Sequence, residues 1–209
     1  MILIGQYDSP FVRRVAVALV LHGLPYEHRP WSTFGDAARI APFNPLRRVP
    51  VLLTADGEAL IESGAILDYL DELAGPERAL LAREGPARRH ALKVCALATG
   101  LADKAVILVY ERLLHEQSSP VWVERCGMQI QAVLEALEAD RRSRPGASWW
   151  GERIGHADIA VACALRFLRE AHPERFDAAR WPQLARHCAR CEALEAFQTV
   201  TQPFVPPGR

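Results

Sequence analysis

The chain has 209 residues, half of them hydrophobic and 24% charged, which supports one large or two small folded domains and excludes intrinsic disorder. Its 25 Lys and Arg balance 25 Asp and Glu, so no net field favours nucleic acid or an anionic membrane surface. No apolar run approaches the roughly 20 residues that span a bilayer. The nearest, Val15 to Leu21, lacks a small-residue cleavage site after it, and five irregularly spaced cysteines read as reduced thiols of a cytoplasmic protein.

In chain order, Met1 to Gly5 reads as a short buried strand ending in glycine. From Pro10 to His22 the apolar residues Val12, Val15, Ala16, Leu19 and Val20 recur at helical spacing, and Gly23 supplies the stop. Tyr26 to Arg29, bracketed by prolines, suits a second strand, and Asp36 to Ile40 allows one or two helical turns before Pro42. Val51 to Thr54 and Ala59 to Ile61 flank an Asp-Gly turn and predict a hairpin. Glu62 to Leu73 is a helix with Ile66, Leu67, Leu70 and Leu73 on one face. The order β-α-β-α-β-β-α is a thioredoxin-like α/β pattern over residues 1–75.

After a linker at residues 76–85 the strand signals vanish, and residues 86–209 read as an all-helical domain. Helices are expected from Pro86 to about His115, Pro120 to about Arg142, Asp158 to Glu170, Gln183 to about Cys191 and Glu192 to Val200.

Three segments carry chemistry. Ser9-Pro10-Phe11 stands at the start of the first helix, where unpaired N–H groups and the helix dipole favour a bound anion such as a ligand thiolate; a plain N-cap is the simpler alternative. In Arg47-Arg48-Val49-Pro50-Val51, a proline entering a strand favours a cis bond that turns the Val49 backbone outward to pair with an extended peptide, with an arginine nearby for a carboxylate. A trans turn with solvated arginines is the alternative. Glu62-Ser63 opens the third helix and offers a carboxylate site beside an acid that can hold an ammonium, unless it too is only a cap. Together the three suggest one groove at a sheet edge, shaped for a thiolate, a peptide backbone and an α-amino acid end.

These motifs, with Gly151-Glu-Arg-Ile-Gly-His-Ala-Asp158 in the helical half, resemble the cytosolic glutathione transferases over nearly the whole chain, and most closely their serine-type bacterial branch. The resemblance implies that Ser9 hydrogen-bonds the glutathione sulfur as the catalytic residue. Phe11, Arg48, Val49, Pro50, Glu62 and Ser63 would line the glutathione site: Val49 on the cysteinyl backbone, Glu62 and Ser63 on the γ-glutamyl end, Arg48 on the glycyl carboxylate. Glutathione is then the co-substrate, with no metal, and the protein a cytoplasmic homodimer that conjugates small apolar electrophiles without nucleic-acid or membrane partners. A non-catalytic ligand carrier or interaction scaffold, or a glutathione peroxidase, would share the same fold. Tyr7 is a rival thiolate donor, since some branches use a tyrosine near the end of the first strand. With Trp31, Phe34, Ile107 and Tyr110 it is also a candidate for the apolar co-substrate side.

Departures from the pattern are Gly155 where a Ser or Thr is usual, Arg47-Arg48 where relatives often have Gly-Lys, and Thr99 where similar sequences have Asp, with Asp103 one turn further on. Position 9 is not the cysteine that a mixed-disulfide chemistry needs. Cys188-x-x-Cys191 with His187 suits packing thiols better than a metal site, because no second ligand pair exists. Trp149-Trp150 reads as helix-connecting core or a pocket wall.

Overall fold

The computed structural model describes residues 1–206. Two compact units are present: Met1–Leu81 together with residues 195–206, and Ala82–Leu194. The first holds β1 (Ile2–Ile4), α1 (Pro10–His22), β2 (Glu27–Arg29), α2 (Ala37–Ile40), β3 (Val51–Leu53), β4 (Ala59–Ile61) and α3 (Ser63–Ala74) in the expected order, and closes with α8 (Glu195–Thr199) from the far end of the chain. The second holds α4 (Gly85–Leu114), α5 (Pro120–Arg142), α6 (His156–Ala171), a 3-10 turn at Pro173–Arg175 and α7 (Pro182–Glu192).

The sheet order is β2-β1-β3-β4, with β1 parallel to β2 and antiparallel to β3, and β3 antiparallel to β4. Alternation along each strand sorts the residues. Ile4, Val51 and Leu53 join Ile40 in a core on one face, with Ile2, Trp31, Phe43, Val49, Ala59 and Ile61 packed against it. Leu3 and Leu52, both fully buried, point to the other face.

α1 is buried on almost every side, which its nearly unbroken apolar sequence requires. Gly23 ends it in the left-handed conformation (φ 66°), with the N–H groups of Gly23 and Leu24 donating to Val20 and Leu19 carbonyls, each at 2.9 Å. The linker is tied to this unit. The Asp71 carboxylate accepts from Leu80 N–H at 3.0 Å and lies 3.2 Å from His22 Nε2, while Arg78 reaches the His22 carbonyl.

The sequence reading places residues 86–209 in a single helical domain; in the structure residues 195–206 pack with the α/β unit. The physical reason is Arg13. Its guanidinium is 2% exposed and donates to the carbonyls of Val200 and Phe197, each at 3.0 Å, stacking on the Phe197 ring at 5.4 Å. A buried charge needs such partners.

In the helical unit, α6 is buried along most of its length and packs against α4 and α7. Its start is fixed by Asp158, which is fully buried and accepts from Gly155 N–H (2.9 Å) and Trp149 N–H (3.0 Å). This is one half of a capping box; Gly155 has no side chain to complete the other. The Asp158 carboxylate serves the backbone where a Ser or Thr cap would have helped.

Candidate functional site

The three chemical segments meet because of strand register. Ile4 stands opposite Arg29 on one side and Val51 on the other, and Val51 stands opposite Ile61. These four residues form the last row of the sheet. The segment after Ile4 leads to Ser9, the segment before Val51 is Val49-Pro50, and the segment after Ile61 is Glu62-Ser63. All three leave or enter the sheet at the same end. Gly5 confirms the closeness of two of them: a Cβ on it would lie 2.8 Å from the Val49 Cβ and 2.5 Å from Val12 Cγ2. With φ of 128°, this position is open to glycine and strained for other residues.

Ser9 is the half-buried N-cap of α1, with extended backbone (φ −65°, ψ 122°). Its Oγ accepts from Val12 N–H at 3.4 Å, a long bond. The cap role and the donor role coexist. The oxygen accepts through a lone pair, and the hydroxyl proton is still available to donate to an anion. Pro10, the first residue of the helix, has no N–H to satisfy. Phe11 follows, half-buried.

Tyr7 is differently engaged. Its hydroxyl is 2.8 Å from that of Tyr26, and its ring lies flat on His28 at 3.8 Å between centroids. Burial, reinforced by the Tyr26 hydroxyl, pushes the Tyr7 phenol above its ordinary value. His28 is held in turn by the Gly5 carbonyl at 2.8 Å.

The Val49-Pro50 bond is cis, as the sequence predicts. The loop before it is built on Asn44, which is buried: its Nδ2 donates to the Arg48 carbonyl (2.9 Å), its Oδ1 accepts from Leu46 N–H (3.0 Å), and its carbonyl accepts from Arg47 N–H (2.8 Å). Arg47 adopts φ of 52°, a conformation that glycine takes more easily than a residue with a side chain. Arg48 is exposed.

Glu62 is exposed and caps α3 with φ 67° and ψ 117°, an uncommon conformation for a residue with a side chain. Its carbonyl accepts from Ile66 N–H at 3.0 Å, while its side chain makes no capping bond. Ser63, 4% exposed, is the first residue of the helix, so its hydroxyl stands among the N–H groups of the first turn.

The candidates for an apolar side are scattered. Trp31 packs on the core below the sheet, with the Arg39 guanidinium 4.2 Å from its ring centroid and the Phe43 ring at 6.4 Å. Phe34 is 41% exposed on the loop before α2. Ile107 and Tyr110 belong to the other unit, half-buried and three residues apart on α4. On the same helix Thr99 turns its hydroxyl back to the Cys95 carbonyl at 2.9 Å, and Asp103 pairs with Lys104 at 3.4 Å.

All five cysteines are buried thiols outside any disulfide. Cys191 Sγ lies 3.5 Å from His187 Nε2, and burial raises its thiol well above the ordinary range, which favours the protonated form. Among the described residues no group of three or more His, Cys, Asp or Glu is placed to hold a metal. Trp149, 6% exposed, donates from Nε1 to Asp140 at 2.7 Å and meets His187 edge-on. It is core. Trp150 is half-buried beneath the Arg153 guanidinium, 5.2 Å away.

Residues 3–78 match the N-terminal domain of glutathione S-transferases, and residues 120–190 match the C-terminal domain. The chain belongs to the glutathione S-transferase family. The uncharacterized GST-like protein YibF of Escherichia coli is 32% identical over 79% of this chain and 81% of its own. A maleylacetoacetate isomerase of Pseudomonas aeruginosa is 31% identical over 98% of both chains. Among solved structures, a glutathione S-transferase of Methylobacterium radiotolerans in complex with glutathione sulfonate superposes with a TM-score of 0.91 at 31% identity, covering 100% of this chain and 97% of that one. The α/β unit followed by helices is thus the glutathione transferase fold, and structural neighbours of the chain bind glutathione.

Two features of this chain escape sequence reasoning. The backbone of Glu62 could not be foreseen, since Glu is no signal for positive φ. The return of the chain terminus to the α/β unit had one trace: Arg13 and Arg14 interrupt an otherwise apolar buried helix, which calls for acceptors from elsewhere.

Proposed function

We propose that this protein is a glutathione transferase of the serine type, in which Ser9 donates its hydroxyl hydrogen bond to the sulfur of bound glutathione and the resulting thiolate attacks small, mostly apolar electrophiles. The observation that carries the reading is the shared sheet end: a helix N-cap with an available hydroxyl, a cis Val49-Pro50 entry to a strand, and the Glu62-Ser63 start of α3 all open there. The thiolate is the reactive species, so stabilising it near neutral pH is the main catalytic task. A hydrogen bond to a charged group contributes about 1.5–3 kcal/mol, or roughly one to two pKa units.

The remaining roles follow the peptide's own chemistry. Val49 N–H and C=O pair with the cysteinyl backbone, Ser63 and the first turn of α3 receive the γ-glutamyl carboxylate, Glu62 its ammonium, and Arg48 the glycyl carboxylate. Phe11 and Pro50 wall the site. What favours Ser9 over Tyr7 is the Tyr7 hydroxyl's pairing with Tyr26 and its ring's clamp on His28. Ile107 and Tyr110 are proposed for the electrophile side, and the working form as a cytoplasmic homodimer whose chain divides near residues 76–85. Five cysteines outside any disulfide suit a reducing compartment.

The isomerase relative supports a second reading. A thiolate that adds to a conjugated cis double bond leaves a single bond free to rotate, and expulsion of the same thiolate restores the alkene as trans. Glutathione is then a catalyst and is not consumed. The test is retention on immobilised glutathione, followed by assays against a panel of aromatic halides, activated alkenes and a cis-enedione, with parent and Ser9→Ala. Conjugation or isomerisation that falls steeply in Ser9→Ala supports the reading. A parent that binds glutathione but converts nothing would support a carrier.

A further inference from the structure

The turn that carries Ser9 is held from both sides by the chain terminus, 195 residues away in sequence at its first contact. Tyr7 N–H donates to Gln202 Oε1 at 3.1 Å, and Val205 N–H donates to Asp8 Oδ2 at 3.0 Å. One turn beyond Ser9, Arg13 donates to the carbonyls of Phe197 and Val200. Before the helix the turn's own bonds are longer, Ser9 N–H to the Gln6 carbonyl at 3.2 Å and Val12 N–H to Ser9 Oγ at 3.4 Å, while on the helix side Arg13 N–H holds the Ser9 carbonyl at 2.9 Å. A hydroxyl whose task is to donate to an anion loses effect steeply with distance and angle. The helix restrains the backbone after Ser9, and the tail's bonds to Tyr7 and Asp8 restrain the backbone before it.

We infer that the segment Gln202 to Val205 is a strap that sets the aim of the Ser9 hydroxyl, with Gln202 a positioning residue for thiolate formation. The inference rests on the Ser9 reading above. The strap reaches the turn at the backbone of Tyr7 and the side chain of Asp8, so it acts on the angle at which Ser9 leaves the turn. Its loss is expected to show in the acidity of the bound thiol and in kcat, with the KM for glutathione nearly unchanged. A purely structural tail would lower stability and leave the thiol where it was.

The variant is Gln202→Met, which keeps length and removes the acceptor; a chain ended after Thr201 removes both contacts and serves as the stronger case. Parent, Gln202→Met and Ser9→Ala are compared in the pH dependence of kcat/KM for conjugation of an aromatic halide, and amide hydrogen exchange is followed at Tyr7. Gln202→Met should raise the apparent pKa of the bound thiol by about half a unit, so that kcat/KM below it falls about threefold, and speed exchange at Tyr7 about tenfold. A pH profile that superposes on the parent's, even with a lower melting temperature, overturns the positioning role. Unchanged exchange at Tyr7 overturns the strap itself. If Ser9→Ala leaves the profile in place while Gln202→Met moves it, the Ser9 assignment falls and the strap acts on another donor.

Discussion

Gly5 and Val49 touch where the first strand ends and the third begins, and the contact exists because Gly5 has no Cβ. Alanine there would meet Val49 Cβ at 2.8 Å and Val12 Cγ2 at 2.5 Å, at a φ of 128°. Both neighbours are backbone-anchored β-branched side chains with nowhere to retreat. Overpacking and backbone strain each cost about 1–3 kcal/mol, so Gly5→Ala should destabilise the protein by about 3 kcal/mol. Urea denaturation measures it. The same variant should weaken glutathione binding, because Val49 is displaced.

Asn44 shapes the loop that presents Arg48 and Val49. Asn44→Ala removes the bonds to the Arg48 carbonyl and Leu46 N–H, at a cost of about 1–3 kcal/mol. Steady-state kinetics should show a severalfold rise in the KM for glutathione with kcat within about twofold, the pattern of lost uniform binding.

Tyr7→Phe separates the two candidate donors. It removes one hydroxyl of the Tyr7–Tyr26 pair and leaves the stacked ring on His28 in place. Turnover should stay within about threefold of the parent, since one neutral hydrogen bond is worth about 1 kcal/mol or less. A hundredfold loss would move the catalytic role to Tyr7.

His187 gives the helical unit a pH dependence. Burial, with Arg190 and Arg141 nearby, pushes its imidazole down to about 4 against the bond to the Asp158 carbonyl, which pulls the other way. Nε2 lies 3.1 Å from that carbonyl and must donate, so Nδ1 accepts from Arg190 at 3.2 Å and the ring is neutral. The unfolded chain takes up this proton near pH 6.5 and the folded one only near 4. Stability from this group is therefore complete above 6.5 and declines as pH falls to 4, by about 3 kcal/mol in all. Asp158, whose carboxyl burial raises, has the opposite slope and offsets part of it. Nitrogen NMR of His187 should report the neutral Nε2–H form down to about pH 4.

Much of this was legible because it is local. The Asp-Gly turn, the helix caps at Ser9 and Gly23, and the proline before Val51 each act on their immediate neighbours, and the observed elements follow them closely. The meeting of the three segments at one end of the sheet also followed, once strand order was read. Long-range facts were less accessible. Trp31, a candidate for the apolar side, packs under the sheet with Arg39 and Phe43, an arrangement set by the path of α2. The positive φ of Glu62 depends on how β4 joins α3. The tail's return to Tyr7 and Asp8 spans nearly the whole chain, and only the buried arginines of α1 hinted at it.

The most direct test of the central claim is an absorbance titration of the thiolate of glutathione bound to the parent and to Ser9→Ala. With Ser9 present the bound thiol should ionise one to two units below its value in Ser9→Ala, as a 1.5–3 kcal/mol bond to the anion requires (roughly). Coincident titration curves for the two proteins would contradict it.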